Sequence, residues 1–205
     1  MPEPTVFVVD DEPAIRDSLA MLLRSVGLAS RAFPSAPAFL EGFDPGAQGC
    51  VVADVRMPGM SGLELQEALR ARQATLPVII ITGHGDIAMA VRAMKAGAAD
   101  FIEKPFNEQV LLDAVHRALA HSRPDAPPQG ANRPEIETRV ATLTPREREV
   151  MLLIAEGRPN KVVATRLGLS TRTVEVHRAK VMEKMNARSL AELVRMAIAC
   201  DLIKP

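Results

Sequence analysis

At 205 residues the chain exceeds one ordinary domain and falls short of two large ones, so two units and a linker are expected. Apolar residues at 47% exclude a disordered chain, no apolar run reaches the ~18 residues of a membrane span, and the acidic, Pro-rich start is unlike a signal peptide. The net charge of zero conceals a division: residues 1–122 hold 10 Lys and Arg against 15 Asp and Glu, whereas residues 139–205 hold 13 against 7. Any nucleic acid is therefore expected at the second part. Cys50 and Cys200 have no His or Cys neighbours at metal spacing and stand too far apart in sequence to suggest a disulfide framework, which points to a reducing, cytoplasmic location.

In chain order, short β-branched runs occur at Thr5–Val9, Cys50–Asp54, Val78–Thr82 and Asp100–Glu103, with a weaker one at Ala29–Phe33. Between them Ile15, Leu19, Leu22 and Val26 keep helical spacing, as do Leu111, Ala114, Val115 and Ala118. Near-continuous apolar strands alternating with helices predict an α/β unit, a five-stranded parallel sheet wound on both faces. The Pro-rich stretch after Ser122 reads as an extended linker, followed by a short helix from Glu135 to Ala141. The expected division is thus 1–122, a linker 123–138, and 139–205.

The tail predicts an all-α unit of four helices. Thr144-Pro145-Arg146-Glu147 is a capping box with Pro in the first turn, and Gly157 ends that helix. Asn160 is placed to cap a second helix that Gly168 closes, Ser170 opens a third running to about Met185, and Ser189 to Glu192 forms a second capping box.

The residues that end the strands carry the chemistry. Asp10 and Asp11 follow the first, Asp54 ends the third, Thr82 the fourth, and Lys104 follows the fifth, with Pro105 suited to a cis peptide. Any one of these alone is an ordinary cap, turn or strand residue. In a parallel sheet they share one edge, where three carboxylates would repel one another or gather a cation, and oxygen ligands in an open site suit Mg²⁺. Asp54 would then attack a phosphoryl group, Lys104 would neutralise the transferred oxygens, and Thr82 would donate to one of them.

The motifs Val8-Val-Asp-Asp-Glu12, Asp54-Val-Arg-Met-Pro-Gly59, Thr82-Gly-His-Gly-Asp86, Met94-Lys-Ala-Gly97 and Asp100-Phe-Ile-Glu-Lys-Pro-Phe106 resemble a two-component receiver domain, whose fold is flavodoxin-like. Leu143-Thr-Pro-Arg-Glu147, Asn160-Lys161 and Thr173-Val-Glu-Val-His-Arg178 resemble a helix-turn-helix of the LuxR/NarL type, and the combination is similar to FixJ-like response regulators. The resemblance implies phosphorylation of Asp54 by a sensor histidine kinase. It implies Mg²⁺ held by Asp11, Asp54 and the backbone carbonyl of Arg56, with Asp10 acting through water. It makes Phe101 a switch residue beside Thr82, where a plain core position is the other reading. It further implies a phosphorylation-dependent homodimer formed through the helix from Asp86 to Ala96 and the strand 100–103, promoter DNA, and activation with RNA polymerase. The protein would be a phosphoacceptor that takes part in its own phosphoryl transfer, not a metabolic enzyme.

Two enzyme readings compete. Gly83-His-Gly85-Asp-Ile-Ala88 matches a permissive dinucleotide fingerprint, but Asp86 lies where a pyrophosphate would approach. A haloacid-dehalogenase-like phosphatase needs a second acid two residues after its nucleophile, where this chain has Arg56. In the third tail helix, Val174, His177, Val181 and Met185 share an arc of about 80° and would be buried, His177 as a hydrogen-bonded core residue. Arg172, Val176, Ala179 and Glu183 point the opposite way, flanked by Glu175 and Lys180. In a major groove Val176 and Ala179 would meet thymine methyls, and Arg172 and Lys180 would reach bases or phosphates. Lys161 and Arg178 would clamp phosphates, while Asn160 and Thr173 complete the DNA-facing set. A solvated basic bundle is the plainer alternative.

Overall fold

Every residue of β3 (Gly49–Asp54) and β4 (Val78–Thr82) is buried, the mark of strands covered on both faces. In the computed structural model, which describes residues 4–83, 87–122 and 133–204, they lie inside a five-stranded parallel sheet. With β1 (Thr5–Val9), β2 (Ala29–Phe33) and β5 (Asp100–Glu103) the order is β2-β1-β3-β4-β5. Val9 stands opposite Ala53, Asp54 opposite Ile81, and Thr82 opposite Glu103. This register delivers Asp10, Asp54, Thr82 and Lys104 to one edge, beside the point where the strand order reverses.

Alternation along the strands divides the core. Val6, Val8, Cys50, Val52, Ile79 and Ile81 face Leu19 and Leu23 of α1 (Pro13–Ser25) and Leu111, Val115 and Ala118 of α5 (Glu108–His121). Burial pushes the Cys50 thiol up to about 12, which leaves it an inert core residue. Phe7, the residue between Val6 and Val8, turns to Phe33 and to Phe39 of α2 (Ala36–Glu41), with ring centroids 6.4 and 5.5 Å away. At the start of α3 (Gly62–Ala71), a Cβ on Gly62 would come within 2.3 Å of the Asp54 carbonyl oxygen. Only glycine lets this helix begin so close to the end of β3.

The second unit is helical: α6 (Arg133–Ala141), α7 (Pro145–Ala155), α8 (Asn160–Leu167), α9 (Thr171–Met185) and α10 (Leu190–Ala199). The Thr144–Glu147 capping box is complete, Gly168 closes α8 at φ +64°, and the Ser170 side chain caps α9. Val174, Val181 and Met185 of α9 are fully buried, as their arc predicts. At α10 the capping box is half made: Ser189 accepts from the Glu192 N–H, but the Glu192 carboxylate accepts from the N–H of Arg188.

Three boundaries differ from the sequence reading. α6 begins at Arg133, and Ile136, only 2% exposed, joins Val140, Met151, Val181 and Leu193 in one core. Residues 133–138, expected in the linker, therefore belong to the helical unit, because Ile136 finds a core to enter. Asn160 is not a cap; the cap position is Pro159, which offers no side-chain acceptor. α4 (Ile87–Lys95), whose Ala90, Val91, Ala93 and Met94 are buried, groups with α6–α10 and packs along α10. Gly157 permits part of this approach, since a Cβ there would stand 3.1 Å from the Ala88 Cα. Residues 123–132 of the linker expected over 123–138, and the loop carrying His84, Gly85 and Asp86, lie outside the described residues.

One ion pair ties α7 to α9. The Glu147 side chain is 4% exposed, lies 2.6 Å from Lys184 Nζ, and also accepts from the Thr144 N–H at 2.8 Å. These bonds, Lys184 first and then Thr144, hold the carboxyl down at about 2. A carboxyl depressed below its unfolded value stabilises the fold above about pH 4.5, and this contribution is lost as pH falls towards 2. Glu147→Gln should lower the melting temperature at pH 7 and flatten its fall between pH 4.5 and 2, measured by calorimetry of the full chain.

Candidate functional site

Lys104 is the hub of the sheet's carboxyl edge. Its Nζ donates to Asp10 Oδ2 at 3.0 Å and to Asp54 Oδ1 at 2.8 Å. Its backbone N–H donates to the Thr82 carbonyl at 2.7 Å, which continues the β4–β5 ladder past the strand end, and the Lys104–Pro105 peptide is cis. Backbone donors orient the remaining carboxylate oxygens: Glu12 N–H reaches Asp10 Oδ1 at 2.9 Å, and Arg56 N–H reaches Asp54 Oδ2 at 2.6 Å. Asp10 and Thr82 are fully buried and Asp54 nearly so. Burial disfavours the Lys104 ammonium, but its hydrogen bonds to Asp54 and Asp10 outweigh this and raise its pKa above the ordinary lysine value.

The structure thus joins Asp10, Asp54 and Lys104 and places Thr82 beside them. Asp11 is the exception among the expected acids. It is exposed and forms no ion pair or side-chain hydrogen bond among the described residues, which contain no trio of His, Cys, Asp or Glu side chains close enough to hold a metal. The expected convergence of three carboxylates is therefore two carboxylates and an ammonium. A third buried acid would add repulsion that one ammonium does not offset, so Asp11 stays in water. Phe101 is half-buried on β5 and outside the core cluster that includes its neighbour Ile102. The sequence reading missed Arg16, whose Nη1 donates to the Asp10 carbonyl at 2.7 Å and secures the turn after β1. Its only signal was a cation in the first turn of α1.

Removing the hub leaves two acids side by side without a cation. Lys104→Met should cost roughly 3 kcal/mol at pH 7, measured by urea unfolding of the wild type and the variant.

On the helical unit, Lys161, Arg172, Glu175, Val176, Ala179 and Lys180 are exposed, and Asn160, Thr173 and Arg178 are half-buried. Val176 keeps 50% exposure although it is apolar and mid-helix. The Thr173 hydroxyl lies 2.8 Å from Ser170 Oγ, so it serves the cap of α9. Asn160 Oδ1 and His177 Nδ1 are buried without a hydrogen-bond partner among the described residues. His177 is half-buried, so its expected hydrogen-bonded core place is corrected at Nδ1: the apolar residues of its arc supply no donor or acceptor. Ion pairing is uneven. Arg133, Arg139, Arg146, Arg158 and Lys184 are paired, whereas Lys161 and Arg166 of α8 and Arg172, Arg178 and Lys180 of α9 have no ion pair among the described residues. Arg148, Arg188 and Lys204 likewise have no ion pair among the described residues, but five of the free cations lie on two consecutive helices joined by a short turn, an arrangement suited to phosphates.

Comparison with known proteins agrees. Residues 6–116 match the response regulator receiver domain and residues 141–197 the bacterial regulatory proteins of the luxR family. The transcriptional regulatory protein FixJ of Azorhizobium caulinodans is 52% identical over 97% of this chain and 94% of its own length. The response regulator protein TodT of Pseudomonas putida is 43% identical over 93% of this chain and 84% of its own. A crystal structure of full-length FixJ from B. japonicum, 45% identical, superposes with a TM-score of 0.57 and covers 100% of both chains. Among the described residues no helix is long and apolar enough to cross a membrane. The chain belongs to the FixJ-type two-component response regulators, transcription regulators and not metabolic enzymes, in which a receiver domain is joined to a LuxR-type helix-turn-helix that binds DNA.

Proposed function

We propose that Asp54 accepts a phosphoryl group from a phosphohistidine of a sensor kinase, and that the resulting charge gates dimerisation and DNA binding in the cytoplasm. The observation that supports this most is the bridge from Lys104 to Asp10 and Asp54. It orients the Asp54 carboxylate at the carboxyl end of a buried sheet. One Asp54 oxygen attacks phosphorus as the bond to the donor histidine breaks. Lys104 then pairs with the transferred oxygens and the Thr82 hydroxyl donates to one of them.

The donor set fits a hard divalent cation. Two acids share a single ammonium, which leaves one negative charge over, and the Arg56 carbonyl accepts no hydrogen bond among the described residues. Asp10, Asp11, Asp54 and that carbonyl would hold Mg²⁺, with Asp11 turning inward. When bound, the ion neutralises charge on the phosphoryl oxygens. The receiver is the front unit up to residue 122, and the DNA-binding part begins with α6.

Phosphorylation adds roughly two negative charges beside Lys104. Thr82 follows them, and the half-buried Phe101 turns inward into the space released. α4 and β5 then form a receiver dimer surface, and α4 must give up α10 to do so. Moving such an equilibrium from mostly off to mostly on takes about 5.5 kcal/mol. Dimers on paired half-sites engage promoter DNA through Lys161, Arg172, Arg178 and Lys180, and contact RNA polymerase to activate transcription.

Two measurements test this. Asp54→Asn should take up no label from acetyl phosphate in the presence of Mg²⁺; labelling at the wild-type level would remove the phosphoacceptor assignment. In salt titrations of the beryllofluoride-treated protein on DNA, Lys161→Ala should reduce the slope of log K against log salt by about 0.9 per site. An unchanged slope would remove Lys161 from the phosphate contacts.

A further inference from the structure

Arg16 holds a residue on each side of Asp11. Its Nη1 donates to the Asp10 carbonyl at 2.7 Å, and its backbone N–H donates to the Glu12 carbonyl at 3.2 Å. The rest of the turn is fastened too: the Asp10 N–H donates to the Phe33 carbonyl at 3.2 Å, and the Glu12 N–H donates to Asp10 Oδ1 at 2.9 Å. Asp11, exposed between them, forms no ion pair or side-chain hydrogen bond among the described residues. The choice of partner is informative. Asp11, Glu12 and Asp17 all lie within five residues of Arg16. Yet among the described residues the half-buried guanidinium pairs with no carboxylate and donates to a backbone oxygen.

The planarity of the peptide makes that bond consequential. The Asp10 carbonyl shares a rigid plane with the N–H and Cα of Asp11, so fixing the direction of the one fixes the position of the other. With Glu12 held on the far side, the freedom left to Asp11 is the rotation of its side chain. Asp10 and Asp54 are already oriented by Lys104 and by backbone donors, which makes Asp11 the proposed ligand still to be recruited. Ordering a backbone costs more than ordering a short side chain, so a turn fastened beforehand spares most of that cost. The Arg16 charge acts in the opposite direction, because a guanidinium repels a cation. Half-exposed and standing among acids, it weakens binding only a few-fold, against roughly ten- to a hundredfold for a group that orients a ligand. Orientation wins.

We infer that Arg16 is a positioning residue for the divalent cation: it clamps the backbone on both sides of Asp11, so that joining the site costs Asp11 only a side-chain rotation. This rests on the Mg²⁺ site proposed above and adds that a residue outside the ligand set, and of the same charge as the ion, raises the affinity for it.

The test is calorimetric titration of the full-length protein with Mg²⁺, comparing wild type, Arg16→Met, Asp11→Asn and the double variant. Arg16→Met should raise the dissociation constant on the order of tenfold. In the Asp11→Asn background the same substitution should change little, because the carboxylate that Arg16 positions is gone. Label uptake from acetyl phosphate should need a Mg²⁺ concentration higher by the same factor for half its maximal rate, and that maximum should return at saturating Mg²⁺. Arg16→Gln, too short to reach the carbonyl, should match Arg16→Met and replaces it if melting curves show that Arg16→Met does not fold. An unchanged dissociation constant would overturn the proposal. So would a tighter one, the result for a residue acting by charge alone, or an equal loss with and without the Asp11 carboxylate. Absence of Mg²⁺ binding by the wild type at millimolar concentrations would remove the cation site itself.

Discussion

Two carboxylates in the sheet's interior edge share one ammonium, and much of the front unit serves that arrangement. Buried charges persist only when paired and hydrogen-bonded. Here Lys104 supplies the pairing, the N–H groups of Glu12 and Arg56 orient the other oxygens, and Arg16 fastens the turn that carries Asp10. The parallel register brings the partners together from positions 10, 54 and 104. Gly62 lets α3 start against the end of β3, so the Asp54 backbone is held from behind. The excess of acidic over basic side chains at this edge supports the proposed binding of a cation and a phosphoryl group there.

The helical unit handles charge differently. Ion pairs and side-chain hydrogen bonds to carbonyls hold α6, α7 and the carboxyl-terminal end of α9 in place: Arg139 reaches the Met185 carbonyl, and Lys184 reaches both Glu147 and the Thr142 carbonyl. Among the described residues the cations left over include Lys161 and Arg166 of α8 and Arg172, Arg178 and Lys180 of α9. Structural pairing and the proposed phosphate contacts thus fall to different residues. Phosphate contacts can form without breaking the bonds that keep the recognition helix in position, and a salt-sensitive affinity follows from the same division.

Most of the fold was legible because its signals are local and periodic. Near-continuous β-branched runs in the strands and a period of 3.6 in the helices named the layers, and the Thr144 box, Ser170 and Gly168 marked helix ends through their own backbone chemistry. The buried arc of α9 was correct at Val174, Val181 and Met185. At His177 it missed an unpartnered ring nitrogen, since helical phase places a residue but does not supply its hydrogen bonds. Asn160 misled for a related reason: a good capping residue stood next to the position where the helix in fact begins.

What the sequence alone determined was the identity and order of the elements and the set of reactive groups at the strand ends, since both follow from short-range sterics and hydrophobic alternation. Tertiary structure decided which of those groups meet. It kept Asp11 in water while Asp10 and Asp54 closed on Lys104, drew Ile136 and the start of α6 into a core, and laid α4 along α10. Each of these outcomes depends on charge and apolar surface contributed by residues distant in the chain, and a one-dimensional pattern holds no record of which distant neighbour is nearest.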